Sequence, residues 1–296
     1  MVKDTFFGKN RLINGGGKYI DLSVPRIMGI LNITPDSFFD GGRYVEEGSV
    51  KKRVAQMLEE GADLIDIGAY SSRPGATEIS EKEELDRLQK ALSWVREEHP
   101  DAILSVDTFR SGVARKVVEE FGVAIINDIS GGMLDTEMID TIADLNVVYI
   151  LMHMPGNPKS MQKNTNYTDM IREIIEFLAR QTENLRSKGI VDIIADPGFG
   201  FGKTLDQNYQ LLGNLSAFKI LQLPLLAGIS RKSMIYRFLQ TTPEETLTGT
   251  CVLNTIALQN GADILRVHDV KEAKQTIELV MKTKTEENRY LEQISL

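Results

Sequence analysis

Met28-Gly29-Ile30-Leu31-Asn32-Ile33-Thr34-Pro35-Asp36-Ser37-Phe38-Phe39-Asp40-Gly41-Gly42-Arg43-Tyr44 opens on an apolar run, stops at an amide and passes into a loop punctuated by proline and glycine. Such a run reads as a parallel strand buried on both faces, delivering Asn32 to the working face of an α/β protein. The loop over 34–42 places Phe38 and Phe39 among Asp36, Asp40 and Gly41-Gly42. Two readings of it stand side by side: a lid that closes on a flat ligand, or a turn whose phenylalanines pack on a barrel rim.

Working outward, the same kind of run recurs. Counting Ile27–Asn32, there are eight: Leu64–Ala69, Ile103–Thr108, Ala124–Ser130, Val147–His153, Ile193–Pro197, Leu225–Ser230 and Ile264–Asp269 complete the set. Between them apolar residues fall at helical spacing, as in Val50-Val54-Met57-Leu58, Leu85-Leu88-Leu92-Val95 and Ile171-Ile174-Ile175-Leu178. Strand alternating with helix implies parallel pairing through right-handed crossovers. Eight units predict an α/β fold, a single (β/α)8 TIM barrel; an open doubly wound sheet is the alternative and would have to be unusually long. One domain over 1–296 is expected, with a hairpin in 1–25, the barrel in 26–283 and a tail in 284–296. Asn14-Gly15-Gly16-Gly17, between Phe6-Phe7 and Tyr19–Leu22, predicts a β-hairpin closing the barrel's bottom. Ser80 with Glu83 resembles a capping box, and Asp135 precedes the Met138-Ile139-Ile142 face of another helix. Gly61, Gly122, Gly189 and Gly261 sit where left-handed helix ends are expected.

The net charge of −8, without any Lys/Arg block, argues against nucleic acid or an anionic membrane as partner. An anionic substrate would therefore need a local cluster of cations. The single cysteine, Cys251, excludes an intrachain disulfide and a cysteine-rich zinc site and fits a cytoplasmic setting. Neither a signal peptide nor a membrane span is expected.

Six runs end in groups that hydrogen-bond or carry charge: Asn32, Asp107, Asn127, Asp196, Ser230 followed by Arg231-Lys232, and Arg266 with His268. In a barrel these ends converge on one face. Each alone could cap a helix or satisfy a loop backbone. Asp107, Asn127 and Asp196 together suit a flat nitrogen heterocycle such as a 2-amino-4-oxo pyrimidine, with Lys232 meeting its carbonyl and a ring nitrogen. Arg231-Lys232-Ser233, opening a helix, favours anions, and Arg73, Arg266 and His268 add positive charge unless they are solvated surface pairs. Asp196–Lys203, DPGFGFGK, lacks Walker A spacing. His153–Gln162 has no second histidine at helical spacing, so no zinc site is expected there, and no serine sits in a nucleophile elbow.

Motif by motif, from Asn32-Ile33-Thr34-Pro35-Asp36-Ser37-Phe38 through Ser72-Arg73-Pro74-Gly75, Val106-Asp107-Thr108, Ile126-Asn127-Asp128, Met152-His153-Met154, Asp196-Pro197-Gly198 with Phe201-Gly202-Lys203, and Ser230-Arg231-Lys232-Ser233 to Arg266-Val267-His268-Asp269, the chain resembles the dihydropteroate synthase family over roughly 26–270. One departure is Ala69-Tyr70-Ser71-Ser72, where that family usually carries Glu-Ser-Thr; Ser72 keeps the hydroxyl. The resemblance implies a sulfonamide-targeted transferase of folate biosynthesis that joins a dihydropterin pyrophosphate to p-aminobenzoate, with Mg2+, as a homodimer. It assigns the pterin to Asp107, Asn127, Met152, Asp196 and Lys232, and the pyrophosphate to Asn32, Arg73, Arg266 and His268, with Asn32 at the metal. The p-aminobenzoate falls to Phe38, Ser72, Arg73, Pro74, Phe201, Lys232 and Ser233. Catalysis falls to Lys232, Arg266, His268, Asp107 and Arg73, by departure of pyrophosphate, stabilisation of a pterin-methyl cation and attack by the aniline nitrogen. A pterin-binding methyltransferase would share the ring recognition but has no use for a pyrophosphate clamp, and an idle pterin-binding paralogue need not retain both loops.

Overall fold

A computed structural model describes residues 12–34, 47–71 and 78–294, with side chains through 287. It opens with an antiparallel hairpin of β1 (Leu12–Gly15) and β2 (Lys18–Asp21), turned through Gly16 at φ 59° and Gly17 at φ 87°. Two consecutive left-handed residues are what a tight two-residue hairpin turn requires. The Phe6-Phe7 pair lies outside the described residues.

Eight parallel strands follow: β3 (Arg26–Asn32), β4 (Leu64–Gly68), β5 (Leu104–Asp107), β6 (Ile125–Asp128), β7 (Val148–Met152), β8 (Ile193–Asp196), β9 (Leu226–Ala227) and β10 (Ile264–Val267). Their order is β8-β7-β6-β5-β4-β3-β10-β9. The ends meet through a parallel bridge between Ala195 and Leu225 and a bond from Ala195 N–H to the Pro224 carbonyl at 2.8 Å, so the sheet closes as a barrel. The run ending at Ser230 shortens to two paired residues, because beyond Ala227 the chain bends into a turn in which Lys232 N–H donates to the Ile229 carbonyl. The run ending at Ser130 likewise stops at Asp128, whose carboxylate gathers Ser130 N–H, the Ser130 hydroxyl, Gly132 N–H and the Tyr149 hydroxyl.

The helices α1 (Glu47–Glu59), α2 (Glu81–Glu98), α3 (Ser111–Phe121), α4 (Met138–Leu145), α5 (Met170–Ser187), α6 (Leu205–Gly213), α7 (Ser233–Leu239), α8 (Leu247–Gln259) and α9 (Val270–Ile294) ring the barrel. The last runs on past residue 283. Ser80 caps α2 by accepting from Glu83 N–H, but the Glu83 carboxylate turns to Arg87 instead of closing a box. Asp135 does not cap α4; it accepts from Ser111 N–H and Glu137 N–H, tying the starts of two helices together. A reciprocal capping box opens α6 at Thr204 and Gln207, where the sequence reading missed it. All four helix-ending glycines named from sequence have positive φ.

Alternation along the strands sorts side chains into two cores. Ile65, Ile67, Val106, Ile126, Tyr149 and Leu151 point outward and pack under the helices. Met28, Leu64, Ile125, Val148, Ile150, Ile194, Leu226 and Ile264 point inward, and Ile13, Ile20 and Leu22 of the hairpin cover them from below. Each such buried side chain contributes about 1.5–3 kcal/mol. Asn14 N–H donates to Asp192 and the Lys18 ammonium to the Asp101 and Ala102 carbonyls, pinning the plug to the bottom loops.

Candidate active site

Above that apolar layer the inward positions turn polar. Strand register sets Asn32 beside Gly68, Gly68 beside Asp107, Asp107 beside Asn127 and Met152 beside Asp196. Asp66, one inward step above Leu64, is fully buried and accepts three bonds: from the Ser105 hydroxyl at 2.6 Å, Asn127 Nδ2 at 3.0 Å and Arg266 Nε at 2.6 Å. Arg266 Nη2 donates to Asp107 at 3.0 Å. Burying two carboxylates is costly, and the guanidinium between them offsets that cost through a fork of charge-assisted bonds. Burial pushes the Asp107 carboxyl up, against the pull of Arg266.

Across the barrel mouth Asp196 ends β8 with 7% of its surface exposed and accepts from Gly198 N–H at 2.8 Å. Burial raises its pKa, opposed chiefly by Lys232. Gly198 sits at φ 74°, and a Cβ there would lie 2.0 Å from the His153 carbonyl, so this close approach requires glycine. Lys232 donates to the Phe199 carbonyl, lies 4.8 Å from the Phe201 ring centroid, and has its pKa lowered to about 8 by burial. Lys203, 3% exposed, donates to the Gly198 and Phe201 carbonyls at 2.8 and 3.1 Å and lies 3.4 Å from His153 Nδ1. Its burial lowers its pKa to about 7, and burial followed by Lys203 lowers that of His153 to about 3, which keeps the imidazole neutral. Met152 is buried with Ile129, Met154 and Met161, and Phe109 and Phe201 pack beside them, forming an apolar wall next to the polar ends.

His268 follows β10, two residues beyond Arg266, and its Nδ1 lies 3.1 Å from the Ser230 hydroxyl, which also accepts from His268 N–H. Asn32 is half-buried, its Oδ1 across Gly68 from the Asp107 carboxylate. Ser233 opens α7.

Two expectations change. Arg231 does not join the cation cluster: at φ 55° it points to Asp269 and pairs with it, and its N–H donates to Thr250. Asp107 and Arg266, read separately as ring and anion ligands, are bonded to each other. Asp66, Ser105 and Lys203 were missed. The available signal for Asp66 was a carboxylate inside Leu64-Ile65-Asp66-Ile67-Gly68, in phase with inward Leu64. Phe38, Ser72, Arg73 and Pro74 lie outside the described residues. A separate cavity of about 500 Å³ opens beside α5, between His153, Tyr167, Phe177 and Arg180, and none of the converging acidic and cationic groups lines it.

An α/β barrel with acceptors, cations and an apolar wall gathered at the C-terminal strand ends is an enzyme site for a flat, nitrogen-rich ring, and the pterin-binding enzyme family model matches residues 28–268. The dihydropteroate synthase of Haemophilus influenzae is 44% identical over 255 residues, 86% of this chain and 92% of that one. The Yersinia pestis dihydropteroate synthase, solved with a sulfonamide drug, superposes with a TM-score of 0.87 at 40% identity, covering 93% of this chain and 99% of the other. The Xanthomonas albilineans enzyme in complex with 7,8-dihydropteroate gives 0.83 at 34% identity, over 92% and 98%. The chain belongs to the dihydropteroate synthase family.

Proposed function

We propose that this chain condenses 6-hydroxymethyl-7,8-dihydropterin pyrophosphate with p-aminobenzoate, giving 7,8-dihydropteroate and pyrophosphate, with the residue roles that follow. The observation that carries the assignment is the placement of ring acceptors (Asp107, Asn127, Asp196) and cationic or donor groups (Lys232, Arg266, His268) around one mouth. The bond from the pterin methylene to pyrophosphate oxygen breaks with its electron pair leaving on pyrophosphate, which Arg266, His268, Asn32 and Arg73 hold. Asp107 and Asp196 face the electron-poor ring and favour the positive charge that develops, while protonated Lys232 donates to the ring carbonyl. Met152 and Phe201 keep water from the electrophile. The p-aminobenzoate, held by Phe38, Ser72, Arg73, Pro74, Phe201, Lys232 and Ser233, attacks the methylene through its aniline nitrogen, which then gives its proton to water.

Among the described residues no group of three or more His, Cys, Asp or Glu is arranged to hold a metal. Asp107 is paired with Arg266, and Asn32 Oδ1 is a neutral oxygen beside it. That set fits a Mg2+ whose other ligands are pyrophosphate oxygens and water, a usual arrangement for this ion. When bound it would neutralise the departing anion.

A homodimer is supported by the uncharged helix α8 and by exposed Phe238, Leu239, Leu247 and Val252 on α7 and α8, an apolar face that a second copy would cover. Among the described residues no helix is long and apolar enough to cross a membrane; the cytoplasm is the proposed setting. Pyrophosphate release measured with and without p-aminobenzoate tests the reading. Release that depends on p-aminobenzoate is expected, and no release with both substrates present would overturn it.

A further inference from the structure

Asn127 is an amide set among the inward carboxylates, and an amide can face a ligand in either of two orders. Which order it presents decides which ring edge it accepts. Asp66 removes that freedom. Its Oδ2 lies 3.0 Å from Asn127 Nδ2 and is fully buried among strands, so the reversed amide would set two oxygens against each other in a place no water reaches. The Asp66 carboxylate cannot itself rotate to accommodate a flip, because Oδ1 is held by the Ser105 hydroxyl at 2.6 Å and Oδ2 also accepts from Arg266 Nε at 2.6 Å. Ser105 is itself fully buried, directly beside Asp66 in the β4–β5 register.

We propose that Asp66 is a positioning residue that sets ring specificity, by locking the Asn127 amide so that its oxygen and one remaining N–H meet the ligand in a fixed order, and by aligning the Arg266 fork. The inference rests on the pterin reading above and deepens it. With Nδ2 turned toward Asp66, the ligand meets an acceptor at Asn127 Oδ1, and a ring offering an exocyclic amine at that edge satisfies it. A ring of the same shape without the amine leaves that oxygen unpaired, and discrimination of this kind is strong because a buried polar group is left without a partner. The same carboxylate engages Arg266 Nε while Asp107 engages Nη2, so the planar guanidinium has one orientation and directs its remaining edge away from both carboxylates. One buried carboxylate thereby couples recognition of the ring to the pose of the cation that takes the leaving group.

The test compares the enzyme with Asp66→Leu, which keeps the approximate size and shape of the side chain but offers no acceptor to Asn127 or Arg266; an amide would not serve, because it could turn its oxygen to both donors and its NH2 to the Ser105 hydroxyl. Calorimetry is run with 6-hydroxymethylpterin and with the same ring lacking the 2-amino group. The expected result is a preference for the amino-bearing ring that falls about tenfold or more in Asp66→Leu, together with a raised KM for the pterin pyrophosphate. An unchanged preference ratio in a folded Asp66→Leu protein, or a loss equal for both rings, would overturn the proposal, since a purely structural role weakens both alike. Should the variant fail to fold, NMR on the unaltered enzyme decides: a scalar coupling across the hydrogen bond from Asn127 Nδ2 to the labelled Asp66 carboxyl carbon is expected, and its absence where backbone couplings are seen would overturn the lock. An unaltered enzyme that binds neither ring yet shows the coupling would refute the pterin reading and leave the lock standing.

Discussion

Replacing Asp196 by Asn separates binding from stability in opposite directions. The amide can keep its oxygen on Gly198 N–H, as the carboxylate does at 2.8 Å, so the turn into the glycine-rich loop survives. Its NH2 then points where the second carboxylate oxygen stood, and ring N–H donors meet a donor. Two charge-assisted bonds, each about 1.5–3 kcal/mol, are lost. The sum of about 3–6 kcal/mol weakens pterin binding roughly 10²- to 10⁴-fold. For the free enzyme the sign reverses. Burial raises the folded-state pKa of Asp196 above its unfolded value, so the native state binds the proton more tightly, and stability falls as pH rises from the unfolded carboxylate range through the raised value. The amide does not titrate and escapes that loss. Calorimetry with a pterin analogue and thermal melts from about pH 5 to about pH 9 should show collapsed affinity with a flatter stability profile and a melting temperature at least that of the unaltered enzyme at the alkaline end. Near-normal affinity combined with a lower melting temperature would make Asp196 a loop cap and refute the reasoning.

His268→Ala should weaken the pyrophosphate-bearing substrate more than a pterin without that group, measured by competition binding; equal losses would make His268 structural. The kcat/KM for the pterin pyrophosphate should fall as pH rises through about 8, where Lys232 loses the proton it donates, and Lys232→Arg, which stays charged, should flatten that limb. Gly198→Ala should destabilise the fold by about 2 kcal/mol or more, from left-handed strain plus collision with the His153 carbonyl, read as a lowered urea midpoint at unchanged slope. If Phe38 and Pro74 form an ordered wall only after the first substrate binds, p-aminobenzoate should bind weakly to the free enzyme and far better with pterin and pyrophosphate present, with sulfonamides following the same order; tight binding to the free enzyme would sink that mechanism.

The barrel was legible because strands buried on both faces read as unbroken apolar runs, and eight of them recur between helical segments. Residues at the ends of those runs were legible too, since a polar group where a run stops is visible without knowing its neighbours. Asp66 was not, because it lies inside Leu64–Gly68, where the surrounding apolar residues speak for a buried strand and the phase of one inward carboxylate is easily passed over. Lys203 hid in the glycine-rich run after Asp196; its role comes from reaching back to two carbonyls, a loop geometry that spacing does not encode. Arg231 misled for the converse reason. Its neighbours point into the site, but a left-handed backbone at that one residue swings its side chain to Asp269.

The hairpin beneath the barrel has a kinetic consequence. With Met28, Leu64, Ile125 and Ile264 filling the interior above Ile13, Ile20 and Leu22, the barrel is solid below the polar strand ends and offers no passage from beneath. On the proposed function, both substrates would then share one approach, and traffic through a single approach is last in, first out. The reactant seated deeper would have to arrive before its partner, and a molecule lodged nearer the opening would trap what lies below it while barring what waits above.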